Sequence, residues 1–141
     1  MTAFRRLAQG GRIDRAKPVT ARFDGKPLMG FAGDTLAAAL LANGERLVGR
    51  SFKYHRPRGI FSAGAEEPNA LVEVRSGARR EPNTRATMVE LYDGLDAASQ
   101  NRWPSLKFDV QSINRFMSPF FSAGFYYKTF MWPAKFCERV Y

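Results

Sequence analysis

Between Val19 and Phe23 the chain alternates strictly, with Val19, Ala21 and Phe23 on one side and Thr20 and Arg22 on the other. A period of two predicts a half-buried strand. Asp24-Gly25 follows, a preferred central pair for a type I′ turn, so Lys26–Phe31 is predicted to return as the second strand of a hairpin. The pattern then changes. Gly33-Asp34-Thr35 leads into Leu36-Ala37-Ala38-Ala39-Leu40-Leu41-Ala42, a run of strong helix formers. Asp34 or Thr35 can cap its first N–H groups, and Asn43-Gly44 supplies a left-handed stop. Leu36 and Leu40 stand at i and i+4, so one helix face is apolar and is predicted to pack on the hairpin. A short strand is expected over Arg46–Gly49. Arg50–Glu67 reads as a long loop containing Pro57, Gly59 and Gly64. An ordered loop of this length is usually functional, or descended from something functional. Asn69–Val74 reads as a strand carrying Leu71, Val72 and Val74, Ser76-Gly77 turns the chain, and Arg85–Tyr92 is the last strand expected. From Asp93 onward alternation stops, and aromatic residues and prolines take over.

Two strands, a helix, then further strands after a long loop predict an α+β fold: a β-grasp domain whose mixed sheet clasps one main helix. The expected division is an Arg- and Gly-rich arm over 1–16, the β-grasp domain over 17–92, and an aromatic-rich connector over 93–141. A chain of 141 residues buries roughly 65–70% of its unfolded surface, enough for a core. Its single cysteine, Cys137, cannot by itself build a disulfide, a structural zinc site or an iron–sulfur site, and reads as an inert thiol. Met1–Lys17 has no apolar stretch of the secretory kind, so a reducing, cytoplasmic location is expected. The greasiest segment, Phe116–Trp132, is broken by Pro119 and Lys128, which argues against a membrane span.

The formal net charge of +9 leaves nucleic acid, an anionic surface or an acidic protein partner open. Arg46, Arg50, Lys53, Arg56 and Arg58 cluster with no acid between Arg46 and Phe61, interleaved with Phe52, Tyr54 and His55. Aromatics stack bases and arginines contact phosphate, so a nucleic-acid patch is one reading, and a cofactor phosphate another. The preferred reading is docking on a neighbouring domain or subunit, or ion pairing within the chain. His55 is the only histidine and lacks the partners of a metal site or triad, so it is expected to be a hydrogen-bonded loop residue. Glu66-Glu67 resembles a paired-carboxylate acid/base site. Adjacent residues in an extended loop face apart, so capping, turn contacts or solvent exposure are expected instead. Phe116, Phe120, Phe121, Phe125, Tyr126, Tyr127, Phe130 and Trp132 are too many aromatics to leave in water, and burial against another domain is expected.

The segment Gly49-Arg50-Ser51-Phe52-Lys53-Tyr54-His55-Arg56-Pro57-Arg58-Gly59-Ile60-Phe61 resembles one found in a ferredoxin-like family that accompanies amine-oxidising flavoenzymes. Cluster-bearing members of that family continue with cysteines spaced C-x4-C-x2-C and supply a fourth from a later strand. That spacing falls here on Ser62, Glu67 and Ala70. The fourth position is Thr87, in Pro82-Asn83-Thr84-Arg85-Ala86-Thr87-Met88. Ala70 has no donor atom, hydroxyls are poor substitutes for thiolates, and a carboxylate is a hard ligand unsuited to a soft iron–sulfide core. No cluster is expected.

The variant loop Phe61-Ser62-Ala63-Gly64-Ala65-Glu66-Glu67-Pro68-Asn69-Ala70-Leu71 resembles the alpha subunits of the heterotetrameric sarcosine oxidase family. The likeness extends to Phe108-Asp109-Val110 and Met131-Trp132-Pro133-Ala134-Lys135. It implies a part in flavin-dependent oxidative demethylation of sarcosine to glycine, with peroxide formed and formaldehyde captured by tetrahydrofolate. Those subunits are far longer than this chain, and no Gly-x-Gly-x-x-Gly dinucleotide fingerprint occurs here. The resemblance implies that FAD, FMN, NAD, tetrahydrofolate and zinc are held in other domains or subunits. No catalytic, cofactor-binding or metal-binding residue is therefore expected in this chain. The expected partners are the remaining alpha-subunit domains and the other sarcosine oxidase subunits, with no nucleic acid and no membrane. Two alternatives stand beside this reading. One is the small subunit of an amine, hydroxyproline or opine dehydrogenase or of a cyanide-forming glycine oxidase, and the other is a basic nucleic-acid-binding module.

Overall fold

The computed structural model describes residues 5–116. Strand β1 (Asp14–Phe23) pairs antiparallel with β2 (Lys26–Ala32), with Phe23 opposite Lys26 and Val19 opposite Gly30. Asp24 (φ 51°) and Gly25 (φ 77°) both adopt the left-handed backbone that a type I′ turn demands. The strand begins five residues before the alternation does, because a bulge between Asp14 and Pro18 absorbs the proline, which cannot donate to a ladder.

Helix α1 (Leu36–Ala42) occupies the expected span. Thr35 is its cap, its Oγ1 accepting the Ala38 N–H at 3.2 Å. The Asn43 side chain donates to the carbonyls of Ala39 (2.7 Å) and Met29 (2.6 Å), which ties the helix end to β2. Leu36, Ala37, Ala39 and Leu40 are buried against the sheet. Gly30 leaves room beneath the helix, since a Cβ there would meet the Leu91 side chain, lie 2.9 Å from the Asp34 carboxylate and stand 3.4 Å from Ala39 Cβ of the helix.

The strand expected over Arg46–Gly49 is instead the two-residue β3 (Gly49–Arg50), paired with β4 (Pro57–Arg58) inside the loop itself. Val48 donates to Arg58 O at 2.9 Å, so this stretch takes its partner from the loop, outside the main sheet. Strand β5 (Leu71–Ser76) pairs antiparallel with β6 (Arg79–Arg85). The expected strand over Arg85–Tyr92 is therefore misplaced. After Arg85 comes a 3₁₀ turn, Ala86–Met88, and then only an isolated bridge from Glu90 to Thr35. Strand β6 is almost wholly exposed and carries Pro82, which an edge strand tolerates, so it has no apolar alternation to betray it.

Strand β7 (Asp96–Ser99) completes the five-stranded sheet, whose order is β2-β1-β7-β5-β6. It runs parallel to β1 and antiparallel to β5, and the sheet thus extends past Tyr92. Its sequence, Asp-Ala-Ala-Ser, has none of the β-branched or aromatic residues that signal a strand. A mixed sheet with one main helix is the expected fold class. The core gathers Phe23, Leu28, Leu36, Leu40, Val48, Val72 and Leu95 between helix, sheet and loop. Cys137 and the aromatic positions Phe120 to Trp132 lie outside the described residues.

Candidate functional site

The long loop returns on itself around one carboxylate. Glu67 is 1% exposed. Its Oε2 accepts the backbone N–H groups of Phe61 (2.8 Å) and Ser62 (2.6 Å), and its Oε1 those of Asn69 (2.9 Å) and Ala70 (3.1 Å). The Ser62 hydroxyl stands 3.3 Å from Oε2. Burial alone pushes this carboxyl up. The amides of Ser62, Asn69, Phe61 and Ala70 overcome that and bring it down to about 2, because each bonds the charged form. Thr87 closes the far side, its Oγ1 donating to Gly64 O at 2.8 Å, while Ala86 N–H donates to Ala70 O at 2.9 Å. The spacing thus brings Ser62, Glu67, Ala70 and Thr87 to one place, as the resemblance implies for ligand positions.

Glu66 and Glu67 do face apart. Glu66 is exposed and turns to the local loop, its carboxylate accepting Gly64 N–H at 3.2 Å, as expected. Solvent exposure fails for Glu67, because it points inward to amides that no other acceptor reaches. The sequence signal was available: Glu67 stands at a ligand position of the spacing, which faces the loop's interior.

The basic half of the loop is satisfied largely within the chain. Arg50 donates to the carbonyls of His55 (2.8 Å) and Leu106 (2.9 Å), and its Nε lies 3.5 Å from Asp109 Oδ2. His55 adopts φ 51° and is buried, with Nδ1 2.7 Å from the same oxygen. The other oxygen of Asp109 accepts Gln111 N–H (3.0 Å) and Trp103 N–H (3.3 Å). Arg58 donates to Asn69 Oδ1 at 3.0 Å, and Lys53 and Arg56 lie against the Tyr54 ring. His55 is the hydrogen-bonded loop residue that was expected. Asp109 is the residue sequence reading missed, because it lies more than fifty positions from its partners.

The segment held by Asp109 exposes Trp103, Phe108, Val110, Ile113 and Phe116, the last 80% accessible. At the other end of the chain, Arg6 reaches Asp34 with two 2.8 Å bonds, so that residue clasps the arm while Thr35 caps the helix. Among the described residues no three His, Cys, Asp or Glu side chains group to hold a metal, and no helix is long and apolar enough to cross a membrane.

Residues 16–102 match the family described as 2Fe-2S iron-sulfur cluster binding domain. The chain belongs to that family. It is 66% identical over 136 residues to sarcosine oxidase subunit alpha of Rhizobium meliloti (strain 1021), a match covering 96% of this chain and 14% of the relative. Sarcosine oxidase subunit alpha of Corynebacterium sp. (strain U-96) is 50% identical over 93 residues, 62% of this chain and 9% of that one. The chain therefore spans only a small part of the relatives it matches. Among solved structures, L-proline dehydrogenase from P.horikoshii superposes with a TM-score of 0.50 at 27% identity, covering 68% of this chain and 18% of that one. The family description implies a two-iron, two-sulfur cluster, and this member's residues do not fit one. Such a cluster is held by thiolates, with imidazoles in place of two of them in some proteins, and the four positions here offer two hydroxyls, one carboxylate already bonded to amides, and a methyl group.

Proposed function

We propose that this chain is a structural and assembly domain of the alpha subunit of a multimeric flavin-dependent sarcosine oxidase, with no catalytic, cofactor-binding or metal-binding residue of its own. The observation that carries the reading is the exposed apolar strip Trp103, Phe108, Val110, Ile113 and Phe116 on a segment pinned by Asp109 to the basic loop. A strip of this kind calls for a covering protein surface. The 66% identity to a sarcosine oxidase alpha subunit supports placing that surface in the same enzyme. In this reading the arm over 1–16 and the domain, expected over 17–92 and extended by β7 to Ser99, precede the remainder of the 93–141 connector, which leads toward a dinucleotide-binding domain. FAD, FMN, NAD, tetrahydrofolate and zinc belong to those further domains and subunits, and the complex is cytoplasmic. The whole enzyme demethylates sarcosine to glycine, forms peroxide, and passes formaldehyde to tetrahydrofolate.

The test places Trp103→Ser, Phe108→Ser and Ile113→Ser together in the full-length subunit, co-expressed with its partners. Loss of the assembled complex by size-exclusion chromatography, with sarcosine-dependent peroxide formation falling in parallel, is the expected result. A variant that assembles and turns over like wild type sinks the reading. The second reading, a small electron-carrying subunit of an amine dehydrogenase, draws on the L-proline dehydrogenase neighbour. It requires a cluster for which the donors are missing.

A further inference from the structure

We propose that Glu67 is a built-in replacement for the family's cluster: its carboxylate closes the loop by accepting the amides of Phe61, Ser62, Asn69 and Ala70, so the domain takes its shape without iron or sulfide. An ionised carboxylate offers about four lone-pair sites. Four backbone amides, two on each oxygen, together with the Ser62 hydroxyl on Oε2, occupy them. A cation approaching Glu67 would face the positive ends of those N–H groups, so the residue is saturated as an acceptor and unavailable as a ligand. The same amides explain why something anionic is required. Four N–H dipoles converging on one buried position, that of the Glu67 carboxylate, form a concavity that favours negative charge, and leaving them unpaired is costly. The family's description implies an iron–sulfur cluster, which is anionic through its thiolates and sulfides. Here one side chain supplies the negative charge from inside the loop, while Ala70 and Thr87 turn the remaining ligand positions into packing and a hydrogen bond to Gly64 O. This role stands whether or not the domain assembles as proposed above.

The test is residue-resolved amide exchange on the chain, with and without chelator and after anaerobic incubation with ferrous iron and sulfide. In wild type, the amides of Phe61, Ser62, Asn69 and Ala70 are expected to be protected equally under all three conditions. Glu67→Gln should speed their exchange by about tenfold or more, while the β1–β2 ladder keeps its protection. A second measurement needs no variant: on acidification the four amide proton shifts of wild type should move together with one midpoint. Iron and sulfide bound stoichiometrically by wild type, four amides still protected in Glu67→Gln, or four unrelated midpoints would each overturn the proposal.

Discussion

Replacing Glu67 by Gln keeps the shape of the side chain and removes the charge. One oxygen can still accept two amides, but the new NH₂ group faces the other two as donor against donor. The carboxyl titrates at about 2 in the folded chain against an ordinary 4.5, a difference worth about 3 kcal/mol at neutral pH. For a domain of this size that corresponds to a melting temperature lower by about 15 °C. The pH dependence follows from the sign of the shift. Between 4.5 and about 2 the unfolded chain binds the proton more readily than the folded one. The contribution of Glu67 is therefore complete above 4.5, declines as pH falls through that window, and is gone below about 2. Urea unfolding of wild type and Glu67→Gln at several pH values between 7 and 2 would measure it. The two stabilities should differ by about 3 kcal/mol at pH 7 and converge in acid. A difference that is the same at every pH, or one below about 1 kcal/mol at neutrality, would refute the reasoning, since neither fits a charge held by four amides.

Asp109→Ala removes the shared partner of Arg50 and His55 and should cost about 3 kcal/mol in urea unfolding, the low end for a broken buried pair because Arg50 keeps its carbonyl acceptors. A cost below about 1 kcal/mol would mean the clamp is ornamental. Thr35→Ala, which removes the cap of a seven-residue helix, should lower stability by about 1 kcal/mol, and Thr35→Ser should restore most of it. The combined variant Ser62→Cys, Glu67→Cys, Ala70→Cys and Thr87→Cys tests whether the loop still has the shape of its relatives. After anaerobic reconstitution it should show the visible absorption of an iron–sulfur centre, with bound iron and sulfide in equal amounts, and a colourless protein would count against a retained shape.

The β1–β2 hairpin and α1 were legible because each carries its own local signal: the alternation of Val19 to Phe23, the Asp24-Gly25 turn, the cap at Thr35 and the stop at Asn43-Gly44. Strands β6 and β7 were not, for opposite reasons. The first is exposed on both faces and reads as polar loop, whereas the second is buried among neighbours and is built from alanines. Their places come from tertiary pairing, which local propensity does not encode. At the site, the spacing that locates Ser62, Glu67, Ala70 and Thr87 was readable. The inward turn of Glu67 was not read: capping, turn contacts or solvent exposure was expected, and its four amide partners follow from the loop's return path. The clamp between His55 and Asp109 depends on a contact between distant parts of the chain and left no local trace.

Strand β7 also sets the order in which this domain can come into being. Without it the sheet is two separate hairpins, β1–β2 and β5–β6, and β7 alone hydrogen-bonds to a strand of each. It is also the last strand among the described residues, and Ser99 at its end is fastened to the Asp24 turn of the first hairpin by bonds of 2.8 and 2.6 Å. A chain growing from its amino terminus therefore carries two unjoined hairpins, each marginal alone, until Asp96–Ser99 has emerged. Ending the chain at Tyr92, where the hydrophobic pattern stops, would remove the one strand that makes the two halves a single sheet.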